Sequence, residues 1–112
     1  MPITSLFISH INLKFTVDEI ARIFLEEEIA IIKSITLIPQ LVDDYIFNWG
    51  YIVIHEWCDS EAAYNCIQQL TRLEKSQLKV SDDDTWSITI NTHNKGNYVS
   101  TTVPLGPLTP PL

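Results

Sequence analysis

The sequence predicts an α+β fold of order β-α-β-β-α-β: a four-stranded antiparallel sheet with two helices on one face. Three observations predict it. Short β-prone runs such as Ser5-Leu-Phe-Ile-Ser9 are separated by two segments whose apolar residues recur at helical spacing. Both helical segments open on side chains that cap helices. Two β-α-β halves follow one another, and right-handed crossovers of that kind set both helices on the same side of one sheet, the ferredoxin-like plait.

The first strand is expected at residues 5–9, with Leu6 and Ile8 toward the core and Phe7 and Ser9 on the opposite face. Thr16 and Glu19 form a capping-box pair, and Phe15 can staple onto Ile20. Val17, Ile20, Ile23 and Phe24 then share one helix face, which places helix one at about 17–28. The run Glu26-Glu27-Glu28 lies where the helix dipole disfavours negative charge, so it would end that helix early.

Residues 31–38 read as strand two, with Ile35 and Leu37 inward and Ser34, Thr36 and Ile38 outward; Pro39 is expected to stop it. An acidic connection, 39–47, leads to strand three at 48–56. There Gly50, Ile52 and Ile54 share one face, and Trp49, Tyr51, Val53 and His55 the other. Asp59 or Ser60 caps helix two, placed at about 60–72 by Ala63, Cys66, Ile67 and Leu70. Residues 77–91 read as a hairpin turning at Asp82-Asp83-Asp84, with Trp86, Ile88 and Ile90 alternating against Ser87, Thr89 and Asn91. The pattern fades from His93, so a domain over 1–93 and a tail over 94–112 are expected. The segment from Val103 to Leu112 holds four of the six prolines, a composition that favours extended structure and excludes a central strand.

The open face of the sheet carries a family resemblance. Leu6-Phe7-Ile8-Ser9-His10-Ile11 and Phe47-Asn48-Trp49-Gly50-Tyr51-Ile52-Val53-Ile54 resemble the hexamer and octamer of the RNA-recognition-motif (RRM) family. Phe7, Trp49 and Tyr51 take the aromatic places, with Gly50 the small residue between the last two. Helix two, from Glu61 to Leu70, resembles the family's pattern as well, over a match that spans about residues 4–92. Strand three ending in Ile54-His-Glu-Trp57, helix two, the acidic turn and Trp86-Ser-Ile88 are together similar to divergent RRM-like proteins of large eukaryotic DNA viruses. Phe47 stands where the family's octamer opens with a basic residue, and His10 where its hexamer carries Asn.

The resemblance implies single-stranded RNA, or DNA, bound on that face. Phe7, Trp49 and Tyr51 would stack bases. Ser9, Thr36, Thr89 and Asn91 would offer hydrogen bonds, His55 would be a further nucleic-acid-binding residue on that face, and Lys33, Lys79 or Lys95 would meet phosphate. Composition pulls the other way: 14 acidic residues against 7 basic give a net charge of −7, and phosphate affinity comes mainly from Lys and Arg. The alternative is a protein-interaction or virion-assembly module with the same fold, including self-association. Val103, Leu105, Leu108 and Leu112 of the tail would then cover the face or insert into a partner.

No catalytic constellation, phosphate loop or metal-ligand spacing is visible, so no enzyme, cofactor, metal or small-molecule substrate is expected. No apolar window reaches the roughly 18–20 residues of a membrane span. No signal peptide is recognisable either. Cys58 and Cys66, eight residues apart, would be roughly 12 Å apart on a helix, too far for a disulfide. Two reduced thiols fit an intracellular setting, cytoplasmic or nuclear, in a cell or a virus-infected cell.

Overall fold

A computed structural model of the chain describes residues 3–91 and the backbone of residues 101–104. The elements are β1 (Ser5–Ile11), α1 (Val17–Glu26), β2 (Ala30–Val42), β3 (Tyr45–Trp57), α2 (Glu61–Leu73), β4 (Lys75–Lys79), β5 (Thr85–Ile90) and β6 (Thr101–Pro104). They form an α+β plait whose sheet runs β4-β5-β1-β3-β2-β6, with every described pairing antiparallel. Four of these strands, β5-β1-β3-β2, are the expected sheet. Of the other two, β4 is the first arm of the hairpin expected over 77–91 and β6 is an addition at the opposite edge, so the sheet has six strands where four were expected.

Local chemistry explains both helix ends. Thr16 Oγ1 accepts from the Glu19 backbone N–H at 3.1 Å, and Glu19 Oε1 accepts from the Thr16 N–H at 3.1 Å. That reciprocal pair satisfies two of the amides left over at a helix start. At the other end Glu28 turns left-handed (φ 57°), its N–H reaching Leu25 O and the Ile29 N–H reaching Phe24 O. This double closure ends α1 at Glu26, two residues short of the expected helix. Ser60 caps α2 by accepting from the Ala63 N–H at 3.0 Å.

The largest departure from expectation lies between β2 and β3. Pro39 does not stop β2, and residues 39–47 are not a connection. The two strands run on as a ladder to Val42↔Tyr45, joined by Asp43 and Asp44 alone. Both aspartates have positive φ, 50° and 68°, the backbone of the two-residue turn whose twist matches a β-ribbon. Pro39 lies past the span that β6 pairs, Ser34–Leu37, where a missing N–H breaks no described ladder. The prolonged hairpin exposes Leu41, Val42, Tyr45 and Ile46.

The core lies between sheet and helices. Leu6, Ile8, Ile35, Ile52, Ile88 and Trp86 from the strands meet Ile20, Phe24, Cys66 and Leu70 from the helices. Gly50 faces this core, and a Cβ there would stand 2.5 Å from Ile11 Cδ1. Ile11 is fully buried, so that methyl has little room to move. Gly50→Ala is therefore expected to cost about 1–3 kcal/mol in urea unfolding, the range for overpacking a core. Ile11→Val removes the offending methyl, so the double variant should recover part of that loss. An additive double variant would show that the close approach has no energetic weight.

The expected tail enters the fold in one place: Thr101–Pro104 pair as β6 with β2. This is an edge position, compatible with Pro104. Val103 stands opposite Ile35 in that register. Leu105, Leu108, Leu112 and Lys95 lie outside the described residues. Among the described residues, no helix is long and apolar enough to cross a membrane.

Candidate nucleic-acid interface

The face opposite the helices is set by strand register. One row of directly paired residues crosses all six strands: Lys75–Thr89–Phe7–Tyr51–Thr36–Thr102. Directly opposed residues in a sheet share a face. The row therefore puts Phe7, Tyr51, Thr36 and Thr89 together, as the sequence predicted. Trp49 lies on the same face two residues before Tyr51. Its ring meets Phe7 at 5.8 Å and 75°, while Phe7 meets Tyr51 at 5.0 Å and 45°. Ring pairs at these distances and angles fit the quadrupole of each ring.

Exposure differs along the row. Tyr51 is 2% exposed and Thr36 is 8%. Phe7, Trp49 and Thr89 are half-buried, and Lys75 is exposed. The accessible half of the face is accordingly the β4–β5–β1 side together with Trp49. Ser9 is exposed on β1. Asn91 donates from Nδ2 to Ser5 Oγ at 3.0 Å, at the end of β1. Lys33 and His55 lie at irregularities in the β2–β3 ladder. Each is the extra residue of a bulge, Lys33 in β2 and His55 in β3, and both are exposed.

Two groups on this face go beyond the sequence reading, which named Lys79 but neither the ring stack nor Lys75. A bulge in β1 between Ile8 and Ile11 leaves Ser9 and His10 both exposed. His10 then stacks on Phe47, ring centroids 3.8 Å apart and 14° from parallel. A second aromatic platform thus stands where the octamer's basic residue was expected. The other group is on β4, where Lys75, Gln77 and Lys79 pair with Thr89, Ser87 and Thr85. They face away from the helices, whereas Ser76 between them is buried and donates to Gln69 Oε1 on α2 at 2.6 Å. The alternation Lys75-x-Gln77-x-Lys79, read beside Thr85, Ser87 and Thr89, was the signal available for it.

Charge is segregated. Among the described residues, Glu56 is the one acidic residue in β1 to β5, and it stands opposite Ile31 on this face, near the end of the β2–β3 ladder. The acidic residues lie on the helices, in connections, at the two hairpin turns and at Glu56 near the end of β3. Lys75 and Lys79 make no ion pair among the described residues, whereas Lys14 is bound to Asp84 at 2.8 Å. Lys14 and the Ser81 hydroxyl hold the Asp84 carboxyl below the usual range, and Asp84 in turn raises Lys14. A lowered carboxyl stabilises the fold above its unfolded value, and that contribution is lost as pH falls through the folded value. Lys14→Met should therefore reduce the dependence of unfolding free energy on pH from about pH 5 downward. An unchanged acid limb in urea titrations would contradict this.

At the sheet end beside the second platform, a cavity of about 340 Å³ is lined by His10, Asn12, Tyr45, Phe47, Asp83 and Thr85, among others. A larger one, about 630 Å³, lies on the helix side between the end of α1 and the start of α2, with Cys58 in its wall. Both cysteines are free thiols, and burial is the main influence raising Cys58 and Cys66 above the ordinary thiol value. Neither is an activated nucleophile. Among the described residues, no cluster of three or more His, Cys, Asp or Glu is arranged to hold a metal ion.

No family model, no curated protein and no solved structure matches the chain.

Proposed function

We propose that the protein is a single-stranded nucleic-acid-binding module, with RNA as its first ligand, that binds on the open face of its sheet in the manner of an RRM. The observation that carries this reading is the charge segregation. A chain of net charge −7 has one carboxylate, Glu56, among the described positions of β1 to β5, and gathers aromatic rings on one face well along the ladder from it. The bulk acidity weighs against phosphate binding only if the charges lie near the ligand, since exposed charges beyond a Debye length of about 8–10 Å are largely screened. Phe7 and Trp49 are the accessible rings of the first platform, the buried Tyr51 packs beside Phe7, and His10 with Phe47 forms the second. Free thiols fit a reducing intracellular compartment. The test is a fluorescence-anisotropy titration of labelled single-stranded RNA against the intact chain and a Phe7→Ala/Trp49→Ala variant.

A second reading has its own observation. Leu41 and Tyr45, 68% and 76% exposed on the β2–β3 hairpin, extend an apolar ribbon beyond the sheet, the kind of surface that marks protein contacts. Under it the chain is a protein-interaction or assembly module. Leu41→Ser would then weaken partner binding and leave RNA affinity unchanged.

A further inference from the structure

We infer that β4 is a phosphate rail, and that the single strand lies lengthwise along β4, β5 and β1, with its backbone over Lys75 and Lys79 and its bases over the aromatic platforms. This rests on the nucleic-acid reading above and adds the ligand's path and its cationic contacts. Two levels of the sheet repeat one arrangement. At the first, Lys75, Thr89 and Phe7 lie side by side on β4, β5 and β1. At the second, Lys79 pairs with Thr85, and Thr85 lines the same cavity as His10 and Phe47. Each level therefore runs from a cation through a hydroxyl to an aromatic ring, the order of phosphate, sugar and base in a nucleotide.

The spacings agree with that order. Strand-to-strand separation of about 4.8 Å sets the Lys75 backbone about 9.6 Å from that of Phe7. The flexible four-carbon lysine stem spans part of that interval toward a sugar-phosphate chain. Four residues along β4 separate the two lysines by about 13 Å, room for more than one nucleotide between the levels. Gln77 and Ser87 occupy the level between them, beside Ser9 and Trp49. This half of the face is also the accessible one, because Tyr51 and Thr36 on the β3–β2 side are buried. The rail's ends are unequal. Asp82–Asp84 follow Lys79 in the hairpin turn, so Lys75 is the stronger contact. The other exposed strand cation, Lys33, stands in the β2 bulge at the far side of the sheet, away from this path.

The experiment titrates the intact chain into fluorescein-labelled mixed-sequence single-stranded RNA of about nine nucleotides, at salt concentrations from 50 to 200 mM. Two phosphate contacts predict a slope near −1.4 in log affinity against log salt, or about sevenfold weakening across that range. Lys75→Gln/Lys79→Gln should weaken by less than twofold over the same range, while Phe7→Ala and Lys33→Gln keep the sevenfold dependence. Circular dichroism verifies that these surface variants fold. If Lys75→Gln/Lys79→Gln keeps the full salt dependence while Trp49→Ala abolishes binding, the rail is wrong and the platform stands. Loss of the dependence in Lys33→Gln instead would overturn the rail in favour of the opposite edge. No binding by the intact chain overturns the platform reading and the rail with it.

Discussion

Trp86→Ala is expected to bring the fold to the edge of stability, lowering unfolding free energy by about 3–5 kcal/mol, the range for truncating a large buried aromatic. Domains of this size hold about 5–15 kcal/mol in total, so much of the margin goes with one side chain. Trp86 is 1% exposed and stands between Phe15, at 5.2 Å and 78°, and Phe24, at 6.2 Å and 25°. It thereby ties β5 to α1 and to the loop before it. Trp86→Phe should be far milder. Among the described residues the indole Nε1–H is buried without an acceptor, so the smaller ring removes an unsatisfied donor that costs about 1–3 kcal/mol. Thermal and urea unfolding of the two variants decide the matter. Equal losses would mean that the indole nitrogen, and not ring volume, holds this corner.

Phe7→Ala/Trp49→Ala is expected to weaken RNA binding by about 2–6 kcal/mol, from about thirtyfold to 10⁴-fold in Kd, if each ring stacks one base at about 1–3 kcal/mol. The two rings are nearly perpendicular, so a base stacked on one meets the other at its edge. Removing either ring alone should cost more than half of the double loss, because each positions the base for its neighbour. Both are half-buried on the sheet surface, so unfolding midpoints should move far less than for Trp86→Ala. Anisotropy titrations at low salt measure the first effect and urea unfolding the second. Unchanged RNA affinity in the double variant would remove the sheet face as the binding surface.

The parts of this fold legible in the sequence were those governed by neighbours along the chain. The Thr16–Glu19 box, the helix periods and the alternation of Trp86, Ile88 and Ile90 all state their outcome locally. The β2–β3 extension did not. Asp43-Asp44 lacks the glycine that usually marks a two-residue turn, and Pro39 reads as a stop unless its place in the ladder is known. Of the site, Phe7, Trp49 and Tyr51 were legible because period-two alternation assigns a face. Tyr51's burial was not, since alternation gives a side of the sheet and not its exposure. The His10–Phe47 stack depends on a bulge that reverses the alternation after Ile8. The β4 lysines acquire meaning only through their partners on β5, a relation between strands that net charge obscures.

The central position of β1 carries a consequence for how the chain folds. β1 lies between β3 and β5 and pairs with residues as distant as Ile90. The middle of the sheet therefore closes only after nearly the whole described domain has been assembled. Pairings of such separation bear a large loop-closure cost before they return any contact, which places folding on the slow side for a domain of this length. A chain ending before Thr85 would leave one edge of β1 unpaired and remove Trp86 and Ile88 from the core. Such a fragment is expected to aggregate instead of persisting as a smaller domain.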